Sequence, residues 1–359
     1  MKDVNSNQCL IDAIWSPGKQ RMLGYTIISQ FSRLVRSMAR LCPLSIILFF
    51  GGCERNDPVG FVTLGDGSAY LMAHFRGDGS EGLFYSYSLD GYNWVSLNRE
   101  KPALIPQVGS KLMRDPSILH TDDGLYHLVW TSGWRDRSIG YANSRDLVNW
   151  SEQKSVPVMV YQAGAKNAWA PSLAFDSQKR EFLILWSTTI PGQFADTDFV
   201  NGDGEIWNHR LYSARTHDFV DLKEPGVFYD PGYSVIDGCV SQIDNEYVLL
   251  FKNETEDPPE KNIRIAFSKT IEGPYESVAK PITGNSYWAE GPALTTVGED
   301  WVVYFDKYRE QKYGAAMSKD LRTWSDVSAS VNFPAGVRHG GVVIVTRDMI
   351  NALLAWTAE

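Results

Sequence analysis

Cysteine is scarce in this sequence, with 4 in 359 residues. So few in such a length make no disulfide framework, and the fold must hold by packing. Charge is thin as well. Asp, Glu, Lys and Arg make up 21% of the chain, and 43 acidic residues outnumber 34 basic ones for a formal net charge of −9. A chain of that sign lacks the positive face that a nucleic-acid backbone requires, so no nucleic-acid partner is expected. No apolar run reaches the ~20 residues needed to span a bilayer. Helical periodicity is scarce beyond residue 60. What the sequence does have is 12 Trp, 17 Tyr, 30 Gly and 43% apolar residues. That composition excludes a disordered chain and suits an all-β protein with an aromatic-lined, wet surface, a profile that fits carbohydrate binding.

The start of the chain differs from the rest. Residues 1–52 carry six basic and two acidic side chains, so the basic bias is local to the N-terminus. Within it, Arg40 precedes the apolar run Leu41–Phe50, and Gly51-Gly52-Cys53 follows. This order of charge, apolar core and small residues is that of an export signal. Its Gly-Gly-Cys ending resembles the lipobox of bacterial lipoproteins, with Phe50 in place of the usual Leu. We therefore expect residues 1–37 to be a misassigned N-terminal extension and 38–53 a lipoprotein-type signal peptide. Residues 54–60 read as a polar tether and 61–359 as one catalytic domain. Cys53 would carry the lipid and only Cys239 would remain in the mature domain. The expected location is the bacterial envelope, lipid-anchored in the periplasm or on the cell surface, or secretion otherwise.

One phrase recurs after residue 61. Two apolar strands are followed by Ser-x-Asp-x-x-x-Trp, ending at Trp94, Trp150 and Trp324, with weaker copies at Phe219 and Tyr275. The copies stand roughly 50–70 residues apart, the period of propeller blades of four strands each. The repeated Trp residues read as packing between blades. The copy ending at Trp94 lacks its own inner strand, and Arg338–Val345 can supply one. The spacing thus predicts an all-β, five-bladed β-propeller closed by N- and C-terminal strands sharing one blade. A β-sandwich also has regular short strands, but no such phrase once per four strands.

Three acids stand where packing does not require them. Asp115, Asp237 and Glu290 each open an inner-strand run and read as being in register. Inner strands line the axis of a propeller, so the three carboxylates would converge on one mouth. Glycoside cleavage needs such a set, with one carboxyl protonated and another ionised.

Met-Arg-Asp115-Pro-Ser-Ile, Trp-Ala-Pro171, Ile-Asp237-Gly, Ala-Glu290-Gly-Pro and Arg-His339-Gly resemble, in order, the blade-start motifs of glycoside hydrolase family 43. The resemblance covers the chain from about residue 61 to its end. It implies a five-bladed propeller that removes arabinofuranosyl or xylosyl units with inversion. It makes Asp115 the general base and Glu290 the general acid. Asp237 becomes the third carboxylate, which orients the acid and helps keep it protonated. His339 matches an axial histidine that holds calcium or water in many relatives, so a structural calcium is an expectation, although no cofactor is required.

Flat apolar faces and bidentate donors at the mouth would recognise the sugar. Arg114, Trp134, Trp169, Asn253, Glu254, Trp288, Asp306 and Arg338 hold suitable places, and Tyr308 stands beside Asp306. The polar stretch from Ile190 to Trp207 reads as a long insertion that could narrow one side of the site. The expected partner is an arabinose-, xylose- or galactose-containing oligosaccharide met by a monomer. A galactan-directed glycosidase and a non-catalytic sugar-binding propeller are the alternatives. The invertase type of propeller fits less well, because Gly-Pro rather than Cys follows the acid.

Overall fold

The computed structural model describes residues 67–98 and 101–358. The extension, the signal with Cys53 and the tether lie outside these residues. Five four-stranded antiparallel sheets form the blades. The first combines Ser68–Phe75, Phe84–Ser88 and Trp94–Ser96 with the C-terminal Arg338–Thr346 as inner strand. The second runs Arg114–His120, Tyr126–Thr131, Ile139–Ser144, Lys154–Val156. The third runs Trp169–Asp176, Glu181–Thr189, His209–Thr216, Lys223–Tyr229. The fourth runs Val235–Ile243, Glu246–Asn253, Asn262–Ser268, Glu276–Ser277. The fifth runs Glu290–Val297, Asp300–Lys307, Lys312–Ser318, Ser325–Asp326. The chain is therefore the five-bladed propeller predicted, with termini joined in one blade, which leaves no unpaired inner edge there.

The core follows from the second strand of each blade, which is buried on both faces. In the second blade Leu128 and Trp130 face the first blade, while Val129 faces the third. The same split recurs as Ile184 against Leu185, Leu249 against Leu250, and Val303 against Val302. A strand covered on both sides needs an unbroken apolar run instead of alternation, which is what these segments carry. One buried cluster thus fills each interface between neighbouring blades.

The recurring phrase is a turn. In the copy ending at Trp150, Ser144 Oγ accepts the Leu147 N–H (2.9 Å), and Asp146 Oδ1 accepts those of Val148 (3.0 Å) and Asn149 (2.7 Å). Asp90 and Asp320 do the same for Tyr92 with Asn93 and Arg322 with Thr323. The Trp then packs: Trp94 is stacked on Phe333 (5.0 Å) and edge-on to Tyr304 (5.3 Å), between the first and fifth blades. Replacing Asp146 by Ala leaves two amide donors of the turn without their acceptor. We expect a loss of about 1–2 kcal/mol in urea unfolding, and a smaller one for Asp146→Asn, which keeps an acceptor.

A feature absent from the sequence reading is the helix Arg347–Trp356. Thr346 caps it, accepting the Met349 N–H (3.1 Å). Ile350 and Leu353 are buried in the cluster between the first two blades.

Candidate active site

Every inner strand carries an irregularity near its start. Arg114 pairs with Thr131 but Ser117 with Val129; Trp169 pairs with Ser187 but Ser172 with Leu185. Ile236 and Glu290 likewise pair with Lys252 and Asp306 before their registers shift, and Arg338 pairs with Phe75. An extra residue re-aims the side chains that follow it. The residue after each of the four former positions lies in the left-handed region: Asp115 (φ 51°), Ala170 (45°), Asp237 (57°) and Gly291 (61°). Such backbone costs energy for a non-glycine residue and is retained where the surroundings enforce it.

These pairings correct one expectation. Asp115 and Asp237 are equivalent, but Glu290 stands one residue earlier, level with Arg114, Trp169 and Arg338. The offset can be read in the sequence once Asp115-Pro116 is aligned with Gly291-Pro292. The amide groups that the bulges turn aside are taken up by the preceding blade. Ala170 N–H goes to Thr131 Oγ1 (2.7 Å), Asp237 N–H to Ser187 Oγ (3.2 Å) and His339 N–H to Asp306 Oδ2 (3.2 Å). Gly291 N–H goes instead to the Asp237 carboxylate (2.9 Å).

The result is a cluster at the axis. His339 Nδ1 lies 3.4 Å from Asp115 Oδ1 and 3.9 Å from Asp237 Oδ2. Gly291 makes room for that imidazole, since a Cβ there would stand 2.4 Å from the ring. Thr131 Oγ1, whose lone pair is taken by Ala170, donates its hydrogen to Asp115 Oδ2 (2.8 Å). Glu290 Oε2 lies 3.2 Å from Lys252 Nζ and its Oε1 3.7 Å from the Arg338 guanidinium. Arg338 is held in turn by Asp306 (2.8 Å). Below, the five inner strands line an axial cavity of about 170 Å3, with Ser117, Ser172, Cys239 and Gly341 on its wall.

Burial pushes the Asp237 carboxyl up to about 6; His339 opposes the rise, while Glu290 and Asp115 add to it. The sign has a consequence for stability. A folded value above the unfolded one penalises the charged form, so Asp237 costs nothing below about pH 4. The penalty grows as pH rises and is complete above about 6, on the order of 3 kcal/mol. Asp237→Asn removes that charge and keeps an acceptor for Gly291. We expect the variant to gain stability on wild type between pH 4.5 and 7.5, read from urea midpoints at both. An unchanged difference between the two pH values would refute the assignment.

The expected sugar contacts fall into three groups. Trp134 is 48% exposed, with Arg114 over its ring (4.2 Å) and Trp169 edge-on to it (5.7 Å). Trp169 stacks on Trp207 (5.0 Å), so the Ile190–Trp207 insertion is seated beside this platform. Glu205 of the same insertion bridges Arg135 (2.6 Å) and Lys166 (2.9 Å). On the opposite side, Trp288 lies near Tyr308 (6.1 Å) under the Arg309 guanidinium (3.4 Å). The third group is inward. Asn253 is 4% exposed with its amide oxygen on Thr255, and Asp306 is 0% exposed. Neither presents an exposed face to a sugar, because both are buried. Glu254 sits between the ammonium groups of Lys252 and Lys261, 2.8 Å from each. Sequence reasoning missed Lys252, Lys261, Trp207 and Thr131. The signal for Lys252 was a charge directly after the apolar run Val248–Phe251, still within the strand.

Among the described residues, no group of three or more His, Cys, Asp or Glu side chains is arranged to hold a metal ion. His339 faces two carboxylates and no third donor of that kind.

The sequence model of a family described as a probable glycosyl hydrolase domain, related to glycoside hydrolase family 43, matches residues 66–351. The chain belongs to that family. A curated relative of this chain is an α-L-arabinofuranosidase of Bifidobacterium longum subsp. longum, 22% identical over 75% of the chain. The chain spans only 32% of that relative's length. Similar solved structures include an α-L-arabinofuranosidase from Lactobacillus brevis (TM-score 0.44, 16% identity, 60% of this chain and 72% of that one). A thermostable family-43 glycoside hydrolase aligns with TM-score 0.47 at 18% identity, over 65% and 80% of the two chains. An exo-β-1,3-galactanase from Phanerochaete chrysosporium aligns with TM-score 0.48 at 12% identity, over 63% and 53%.

Proposed function

We propose that this glycosyl hydrolase is an exo-acting, inverting enzyme that removes arabinofuranosyl or xylosyl units from plant cell-wall polysaccharide or its oligosaccharides. Asp115 is the general base, Glu290 the general acid and Asp237 the carboxylate that holds the acid's strand. The observation that carries this reading is the meeting of these acids at one mouth of the axis, with His339 between Asp115 and Asp237 and the Gly291 amide on Asp237. Inversion calls for a base and an acid ~6.5–9.5 Å apart, with room for water on the face away from the leaving group. Asp115, fixed by Thr131, would take a proton from that water as its oxygen bonds to the anomeric carbon. Glu290 would give its proton to the departing oxygen. Trp134 and Trp169 supply the apolar face for a sugar ring.

A panel of aryl α-L-arabinofuranoside, β-D-xyloside and β-D-galactoside tests the reading. Turnover of either of the first two supports it. Turnover of the galactoside alone favours the galactan-directed alternative, and none at all favours the sugar-binding propeller. Hydrolysis is expected to need no cofactor and to survive exhaustive dialysis against chelator. The location proposed is the bacterial envelope, with lipid on Cys53. Palmitate labelling that persists in Cys53→Ala would exclude that anchor.

A further inference from the structure

This inference rests on the reading of Glu290 as general acid. In the second, third and fifth blades, the second-strand residue opposite the inner strand's first position accepts an amide of the next inner strand. Those residues are Thr131, Ser187 and Asp306. The fourth blade has Lys252 at that position. An ammonium has no lone pair to offer, so it cannot do this task. The amide concerned, that of Gly291, is served by Asp237. Lys252 is thereby free of the duty its position performs in those three blades, the first blade having Phe75 there.

Its ammonium is instead aimed at Glu290. The side chain is 2% exposed, with Nζ 3.2 Å from Glu290 Oε2, 2.8 Å from Glu254 and 4.6 Å from the centre of the Tyr308 ring. Burying a cation is costly unless its partners are well placed. Burial opposes the charge here, but Glu254, Glu290 and Tyr308 outweigh it and hold Lys252 protonated. Lys261 pins Glu254 from the other side (2.8 Å) and leaves it little freedom to follow Glu290.

We propose that Lys252 is a positioning residue for hydrolysis, holding the Glu290 carboxyl and stabilising the negative charge that forms on it as its proton departs. As the glycosidic C–O bond breaks, its electron pair stays with the leaving oxygen, which takes the Glu290 proton. The attacking water bonds to the anomeric carbon and gives its proton to Asp115. Glu290 ends as a carboxylate facing an ammonium already in place, an interaction stronger in the transition state than in the ground state. The other charged groups around Glu290 are Asp237 and Glu254 of the fourth blade, Asp306 of the fifth, and Arg338 of the first.

The test uses the phenyl and 4-nitrophenyl glycosides of the sugar that wild type cleaves. Lys252→Met should lose about 10²-fold in kcat/KM on the phenyl glycoside, whose poor leaving group needs the acid. It should lose under ~10-fold on the 4-nitrophenyl glycoside. The basic limb of its pH profile should move upward, since a carboxyl without its cation holds a proton to higher pH. Lys252→Arg should restore most of the rate. Lys252→Met/Glu254→Gln, which leaves no buried carboxylate unpaired, should repeat the Lys252→Met pattern if that variant folds poorly. Equal losses on both glycosides with an unmoved pH profile would overturn the inference and leave Lys252 a structural ion pair. A wild type inert on every sugar of the panel would overturn the hydrolytic reading, and this inference with it.

Discussion

Glu290→Gln is expected to lower kcat/KM on a phenyl glycoside by ~10³-fold while costing ~10-fold or less on a 2,4-dinitrophenyl glycoside. The difference isolates proton donation. A phenolate leaves poorly unless it is protonated as the bond breaks, whereas a dinitrophenolate is stable on its own. Glutamine keeps the length and one acceptor oxygen for Lys252 (3.2 Å in wild type), while Arg338 keeps Asp306 (2.8 Å). Lys252 also retains Glu254, and the buried cation is not abandoned. Unfolding midpoints should therefore stay near wild type, which separates lost chemistry from lost structure. A variant equally slow on both glycosides, or as fast as wild type on both, would remove Glu290 from the role of acid. The basic limb of the pH profile should vanish in the variant, because an amide does not titrate.

The architecture was legible in the sequence because propeller geometry writes itself into composition. A second strand packed on both faces must be apolar throughout, and runs such as Leu128-Val129-Trp130 announce it. The Ser-x-Asp-x-x-x-Trp phrase is the turn's own hydrogen-bond pattern spelled out in side chains. Ring closure was legible because one blade lacked a strand and the C-terminus had a spare. The site was legible only in part. All three acids open apolar runs, and Glu290 was read level with Asp115 when it is level with Arg114, an offset that the prolines of Asp115-Pro116 and Gly291-Pro292 mark. Asn253 and Asp306 look like mouth residues by position, and burial is what removes them. Lys252 and Trp207 matter through residues distant in sequence, Glu290 and Trp169, which no single segment records. The terminal helix depends on a surface beneath the first two blades that exists only once the ring has closed.

Asp115→Asn makes the complementary prediction: a loss of ~10³-fold or more in kcat/KM, of similar size on phenyl and dinitrophenyl glycosides. A base acts on the water, so its absence is felt whatever group departs. Asparagine is the substitution that the backbone tolerates best, because Asp115 lies at φ 51° and Asn shares the readiness of Asp for that region. Its amide oxygen can still accept from Thr131, whose hydroxyl is committed to that direction by the Ala170 N–H (2.7 Å). The protein should fold as wild type does, and the acid should still be delivered. The same site fixes the stereochemistry. A water activated by Asp115 attacks from the face away from Glu290, so the first anomer released by wild type, watched by proton NMR, must be the inverted one. A retained anomer would require a carboxylate to attack carbon directly, and would exclude Asp115 as base however large the loss in the asparagine variant.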